Sequence, residues 1–213
     1  MTKQLSDLRK EYMFASLDEK SIDADPFVQF STWFEEAIRV GVAEPNAMVL
    51  STSDITGNIS ARVVLLKGTD QGGFVFFSNY QSRKGLQLAS NPRAALTFYW
   101  HDIERQIRVE GKVRKVTRKE SIAYFNSRPS DSRVSACVSP QSAIIPDREF
   151  LEAMREGYLL DLGDSTPVCP KNWGGYRLKP NLVEFWQGRA GRLHDRLRYR
   201  LAGKQWVVER LAP

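Results

Sequence analysis

The chain has 213 residues, 42% hydrophobic and 26% charged, ordinary values for a globular protein with a sizeable core. Only two histidines, His101 and His194, exclude a histidine-rich metal site. The distant cysteines Cys137 and Cys169 form neither a CxxC pair nor a disulfide framework. A net charge of +6 points to anionic partners: nucleic acid, an acidic membrane surface or a phosphorylated small molecule.

Residues 1–24 are polar and read as a short helix plus a mobile arm. They lack the apolar stretch of a signal peptide, and no apolar run is long enough to span a bilayer. With the cysteine usage, this makes the cytoplasm the expected address. Asp25-Pro26 opens the first helix as N-cap and first helical residue. Phe27, Phe30, Phe34, Ala37 and Ile38 follow at helical spacing, and Gly41 is the stop.

Strand texture follows. Residues 47–53 form one strand, residues 54–58 a turn, and residues 60–67 a second strand. In the second, Arg62 and Lys67 bracket Val63-Val64-Leu65-Leu66, read as a buried run with charged ends at the rims. Five residues apart, the two cations point to opposite faces, so periodicity gives them no common ligand. Gly72-Gly73 precedes a strand at 74–78. A short helix at 82–89 opens on Ser82-Arg83-Lys84-Gly85. A helix start offers unpaired N–H groups to a phosphate, and basic residues there oppose the dipole unless an anion is bound. A solvated first turn is the other reading. Strands at 94–101 and 105–116 follow.

Thr117 caps a helix over 117–127, Glu120 completes a capping box and Pro129 closes it. Tyr124 and Arg128 stand at i and i+4 on one helix face. Ser130-Asp131-Ser132 looks like the cap of another helix. A phenol, a guanidinium and a hydroxyl at this junction suit a second phosphate; an ordinary helix corner is the alternative. Residues 130–170 read as helical or irregular.

Four strands close the chain, at 173–179, 182–187, 193–201 and 205–211. Trp186, at the end of one, suits a core or the flat wall of a ring-shaped cofactor site. Across 192–200, Arg192, His194, Arg196, Arg198 and Arg200 occupy alternate positions, with Leu193, Asp195, Leu197 and Tyr199 between them. Period two predicts a strand with one cationic face, covered by water or by an anion. An exposed edge strand guarded by its charges is the bland alternative. The pattern is that of an antiparallel α+β protein, one domain over 25–213 whose terminal strands close a common barrel. No phosphate-binding GxxxxGK[ST] loop, dinucleotide GxGxxG turn or Gly-x-Ser-x-Gly elbow is present, and the basic strand lacks the aromatic interleaving of an RNA-binding sheet.

As an ordered set, several segments resemble the pyridoxine (pyridoxamine) 5′-phosphate oxidase family. They are Arg62-Val63-Val64-Leu65-Leu66-Lys67, Ser82-Arg83-Lys84, Arg105-Gln106-Ile107, Ser127-Arg128-Pro129, Gln141-Ser142, Glu184-Phe185-Trp186-Gln187-Gly188 and Arg192-Leu193-His194-Asp195-Arg196. The resemblance runs from about Leu8 to the C-terminal Arg210-Leu211-Ala212-Pro213. It departs at Arg133, Ser135 and Cys137, where the family usually has Gln, Gly and Trp.

The resemblance implies an FMN-binding split β-barrel, a homodimer with flavin at the subunit interface, and oxidation of either phosphorylated vitamer to pyridoxal 5′-phosphate. Oxygen would reoxidise the flavin to give hydrogen peroxide, and the amine substrate would also release ammonia. By the same resemblance FMN would contact Arg62, Val63, Val64, Leu65, Leu66, Lys67, Phe77, Ser78, Arg83, Lys84, Gln106, Gln141, Ser142, Trp186 and Arg196. Lys67, Tyr124, Arg128 and Ser132 would hold the substrate phosphate. Arg192, Leu193 and His194 would meet the pyridine ring, with Arg192 and His194 catalytic. Arg9 and Tyr12 would belong to a lid. No metal, nucleic acid or membrane enters this reading. Its rivals are a flavin oxidase of another aromatic substrate, of the phenazine type, and a non-catalytic flavin- or pyridoxal-phosphate-binding protein.

Overall fold

The Asp25 carboxylate accepts a hydrogen bond from the Phe27 amide at 2.8 Å, and Pro26 takes the first helical position, where its missing N–H goes unneeded. Helix α1 therefore runs Pro26–Arg39 in the computed structural model, which describes residues 15–70 and 72–213. Gly41, at φ +80°, follows its end. The remaining elements are β1 (Ala47–Ser53), β2 (Ile59–Leu65), β3 (Gly68–Asp70), β4 (Gly73–Asn79), α2 (Arg83–Ser90), β5 (Arg93–Trp100), β6 (Arg105–Lys115), α3 (Arg118–Ser127), α4 (Ser130–Val138), α5 (Arg148–Leu162), β7 (Trp173–Gln187), β8 (Asp195–Ala202) and β9 (Gln205–Arg210). The strands are hydrogen-bonded in the order β2-β1-β5-β6-β7-β4-β3, with β8 on β7 and β9 on β8. The pairs β3–β4, β4–β7, β7–β8 and β8–β9 are antiparallel. Among the described residues no helix is long and apolar enough to cross a membrane.

Contacts group the chain into two compact units. The first comprises the chain up to Leu50, Ala95–Gly111 and Pro180–Pro213. Its core is aromatic. Phe30 lies 5.2 Å from Phe98, Trp33 meets Phe185 edge-on at 5.2 Å, and Phe185 meets Tyr199 at 5.5 Å. Each such buried ring contributes about 2–3 kcal/mol. Tyr199 is fully buried because its hydroxyl donates to the Asp23 carbonyl at 2.7 Å.

The second unit comprises Ser51–Ala94 and Lys112–Lys179. Here Phe125, Cys169 and Trp173 form a buried cluster, with Phe77, Tyr124, Ala136 and Cys137 packed against it. The capping box expected at Thr117 and Glu120 is present and starts α3. Beside it, the Arg118 guanidinium donates to the carbonyls of Cys169, Pro170 and Trp173, at 2.5–3.0 Å, and ties the irregular 167–172 segment to the helix.

Residues 15–24 carry no helix, and the rest of the N-terminal arm, with the short helix expected somewhere in 1–24, lies outside the described residues. Three expectations need correction. The two strands expected at 173–179 and 182–187 are one, β7. Pro180 stands between the stretch that pairs with β4, 173–178, and the stretch that pairs with β8, 182–187, so neither of these two ladders needs the missing N–H. The strand expected at 60–67 stops at Leu65, and its run is not uniformly buried. In β2 Val63 is 66% exposed, because β2 stands at the end of the strand order and shows an apolar face of Ile59, Val63 and Leu65. Finally, β8 begins at Asp195, not at 193, and β9 covers its outer edge.

Candidate functional site

The second unit gathers one set of candidate residues at the start of α2. Ser82 caps the helix: its Oγ accepts from the Gly85 amide at 3.3 Å and donates to the Asn79 carbonyl at 2.7 Å. Gly85 is required by close approach, since a Cβ there would sit 2.3 Å from the Tyr80 carbonyl oxygen. Lys84 is thereby turned inward and buried. Its Nζ donates to Gln141 Oε1 at 3.0 Å, Ser78 Oγ at 3.2 Å and Ser82 Oγ at 3.3 Å. All three are neutral acceptors. Burial first, and then the charge of Arg62, lowers the Lys84 pKa to about 8.

Arg62, half-buried on β2, donates to the hydroxyls of Thr52 and Ser60, and both hydroxyls reach Gln87 Oε1, at 2.6 and 2.7 Å. Its own pKa is lowered by burial and by Arg83. Arg83, Gln141 and Ser142 line a pocket of about 670 Å³ with Asn79, Gln87 and Asp54. The Asp54 carboxylate is engaged by its own turn, accepting from Thr56 and Asn58, which hold its pKa near 2. Three electrostatically coupled cations, with neutral oxygens around the buried one, make a seat for a dianionic phosphomonoester.

A second group in the same unit surrounds Trp173. Phe77 stacks on Tyr124 with ring centroids 3.9 Å apart, and on Trp173 at 5.6 Å. Arg128 is the residue just beyond α3 rather than on its face, yet it joins Tyr124 at Trp173, with Cζ 4.8 Å from the indole. One guanidinium nitrogen, Nη1, is buried without a hydrogen-bond partner, and burial lowers the pKa. Helix α4 starts at Ser130 behind Pro129, with no side chain capping it; Ser132 is its third residue, not a cap. Lys67 is exposed, and no hydrogen bond or ion pair joins it to Tyr124 or Arg128. Of the neighbouring β2 run, Val63 and Leu65 are exposed, Val64 is half-buried and Leu66 is buried.

The first unit carries the remaining candidates. Gln106 (β6), Trp186 (β7) and Arg196 (β8) are half-buried, and Trp186 pairs with Arg196 across the ladder. Arg196 donates to Glu184 Oε1 and to the Ala212 carbonyl, each at 2.8 Å. His194 lies against Trp186, ring centroids 4.7 Å apart. Its Nδ1 accepts from the Arg189 amide at 3.1 Å, so the neutral ring carries its proton on Nε2. Burial and the neighbouring Arg192 both lower the His194 pKa.

Arg192 is exposed and ends a short 3₁₀ turn, Ala190–Arg192, at φ +62°; Leu193 beside it is 75% exposed. The period-two reading is therefore corrected. Arg192 and His194 belong to a loop over 188–194, closed by the Gln187–Asp195 pair, and do not share a strand face with Arg196. Neither do Arg198 and Arg200 face solvent alone. Both pair with Glu209 on β9, at 2.6 and 3.1 Å. The anions covering the cationic strand are the protein's own carboxylates. Glu184, Asp195 and Glu209 were the signal, each placed to meet an arginine once the hairpin register is known. Thr52, Ser60 and Gln87 had no such signal. Arg9 and Tyr12 lie outside the described residues.

Comparisons with known proteins bear on the family and the fold. A family model described as pyridoxamine 5′-phosphate oxidase matches residues 34–158, and one described as pyridoxine 5′-phosphate oxidase C-terminal dimerisation region matches residues 173–213. A relative from Polynucleobacter asymbioticus, named pyridoxine/pyridoxamine 5′-phosphate oxidase, is 52% identical over 209 residues, 98% of this chain and 99% of that one. The structure of PhzG from Burkholderia lata, in complex with tetrahydrophenazine-1-carboxylic acid, is similar at a TM-score of 0.86 and 32% identity, covering 91% of this chain and 95% of that one. A pyridoxamine 5′-phosphate oxidase-related, FMN binding protein from Nostoc punctiforme shares the fold, with a TM-score of 0.72 at 18% identity over 90% of this chain and 100% of that one.

Proposed function

The chain belongs to the pyridoxamine 5′-phosphate oxidase family, and on that premise we propose that it is an FMN-dependent oxidase making pyridoxal 5′-phosphate from pyridoxine 5′-phosphate or pyridoxamine 5′-phosphate. The observation that carries the reading is Lys84: a buried ammonium on three neutral oxygens, coupled to Arg62 beside a pocket that Arg83 lines. That donor set fits the phosphate of FMN. A second buried donor, Arg128 Nη1, lacks a partner and fits a second phosphate.

Arg62, Arg83 and Lys84 are assigned to the flavin phosphate. Ser78, Gln141 and Ser142 are assigned to the flavin with Phe77, Gln106, Trp186, Arg196 and the Val63, Val64, Leu65, Leu66 run. Lys67, Tyr124, Arg128 and Ser132 are assigned to the substrate phosphate. Arg192, Leu193 and His194 are assigned to the pyridine ring. When bound, FMN would supply a two-electron acceptor for the hydride on the carbon that becomes the aldehyde, the hydroxyl or amine proton passing to solvent; O2 would be the final acceptor, yielding H2O2, and the amine substrate would also release ammonia by hydrolysis.

The protein's share of the work is orientation. Two phosphate grips fix two flat molecules, and pre-set orientation lowers a barrier by about 7 kcal/mol at the strong end. His194, kept neutral at pH 7 by burial and Arg192, presents Nε2–H as a donor, while Arg192 supplies fixed positive charge. A homodimer with FMN at the subunit interface is part of the proposal. The dimerisation-region match and the open apolar face of Ile59, Val63 and Leu65 support it. Two free cysteines support a reducing, cytoplasmic setting.

The test is the visible spectrum of the purified protein, followed by addition of each vitamer in air with a peroxide assay. A yellow protein yielding one peroxide per aldehyde is expected. A colourless protein that FMN cannot reconstitute rejects the reading. The likeness to PhzG favours one alternative, oxidation of a reduced phenazine. A yellow protein inert to both vitamers but active on tetrahydrophenazine-1-carboxylic acid would establish it; Arg128 with its unpartnered donor argues for a phosphorylated substrate instead.

A further inference from the structure

We propose that Asp195 is a positioning residue for the loop that carries Arg192 and His194, and that it ties this loop to the chain at Leu17–Glu19. The inference rests on the assignment of Arg192 and His194 to the substrate ring. Gln187–Asp195 is the last rung of the β7–β8 ladder, and residues 188–194 lie beyond it. With Gly188 and Gly191 inside, that loop has much backbone entropy to lose. Within it, the Arg189 amide donates to His194 Nδ1 at 3.1 Å and the Leu193 amide to the Ala190 carbonyl at 3.4 Å; the Gly188 amide holds it to the Glu104 carbonyl at 2.8 Å.

The Asp195 side chain adds a charged tie. Its Oδ2 accepts from the Arg189 guanidinium at 3.1 Å, so the residue that orients His194 through its backbone is held through its side chain. The same Oδ2 accepts from the Leu17 amide at 3.1 Å, and Oδ1 from Arg210 at 2.9 Å. Arg210 in turn grips both Glu19 carboxylate oxygens at 2.7 Å and the Leu17 carbonyl at 3.2 Å. The Asp195 side chain is 17% exposed, against 43% for Arg189 and 47% for Glu19. It is the sheltered acceptor on which outer groups converge, where charge-assisted bonds are strongest. Two cations and two carboxylates leave the cluster neutral, so it binds no external anion of its own. Its effect is geometric: it holds the Arg189 amide against Nδ1 and thereby keeps the His194 proton on Nε2.

The test compares wild type with Asp195→Ala, Asp195→Asn and Arg189→Leu. Backbone amide exchange is measured on the purified proteins, and kcat, KM and flavin content on the FMN-loaded enzymes. Asp195→Ala is expected to speed exchange at Leu17 and Arg189 together and to lower kcat about tenfold or more, with flavin content unchanged. Asp195→Asn, which keeps an acceptor oxygen, is expected to recover most of the loss. Arg189→Leu keeps the backbone amide and is expected to loosen position 189 but not Leu17, which also covers the case in which Asp195→Ala fails to fold. Unchanged exchange at both amides, or loosened amides with kcat within twofold of wild type, overturns the proposal. If wild type is itself inert to both vitamers, the assigned reaction fails, while the exchange data still decide the tie.

Discussion

Lys84 shows how one buried ammonium among neutral oxygens sets the pH range of a site. Its lowered pKa means that the flavin-free protein loses the Nζ proton as pH rises through about 8, whereas a phosphate prefers the protonated form. Affinity for FMN is therefore expected to fall about tenfold between pH 7 and pH 9, read by flavin fluorescence titration. In Lys84→Ala that slope flattens and the dissociation constant at pH 7 rises. A slope that persists in the variant would assign the titration elsewhere. Arg192 divides the labour differently. It is exposed on a loop and is not among the residues that line the pocket. Arg192→Ala is expected to lower kcat by tenfold or more while leaving flavin content at the wild-type level, an outcome checked by absorbance of the purified variant beside its steady-state kinetics. Equal loss of flavin and turnover would contradict the assignment.

At the scale of elements, the groups assigned to the flavin phosphate sit at the start of α2, and those assigned to the substrate phosphate sit where α3 ends and α4 begins. Gly85→Ala would drive a methyl into the Tyr80 carbonyl, displacing the first turn of α2 with Lys84 and Arg83 on it. Flavin retention should collapse in that variant although no assigned ligand is altered, and the far-ultraviolet spectrum should stay native. Thr117→Ala removes the capping box of α3, for an expected stability loss of about 1 kcal/mol in denaturant titration, with flavin content intact. These helices were legible because caps and stops are written within a few neighbouring residues; α1, α2 and α3 begin where Asp25, Ser82 and Thr117 place them. Strand β1 was legible for the same local reason, its bounds falling where the alternation stops. The loop at 188–194 was not. Alternation in 192–200 is compatible with a strand starting at either end, and only pairing with β7 selects Asp195 as the first residue. The carboxylates Glu184 and Glu209 are likewise 9 or more positions from the arginines they neutralise, a distance that periodicity does not bridge.

The whole molecule adds what single elements lack. Among the described residues, α5 buries no side chain and β2 leaves Val63 largely open, while the chain's C-terminal stretch matches a dimerisation region. On the proposed assembly, the open face of β2 meets a second copy, and cofactor and association are one event. Val63→Asp should then shift the protein toward monomer in sedimentation velocity and lose flavin in parallel; a stable flavin-loaded dimer would separate the two. A last consequence follows from the φ of +62° at Arg192. An L-residue in that backbone region carries about 1–2 kcal/mol of strain that glycine escapes. Arg192→Gly should thus melt later by a few degrees yet turn over poorly. Were variants screened for heat resistance alone, this position would drift away from arginine, and the most robust survivors would be the least competent enzymes.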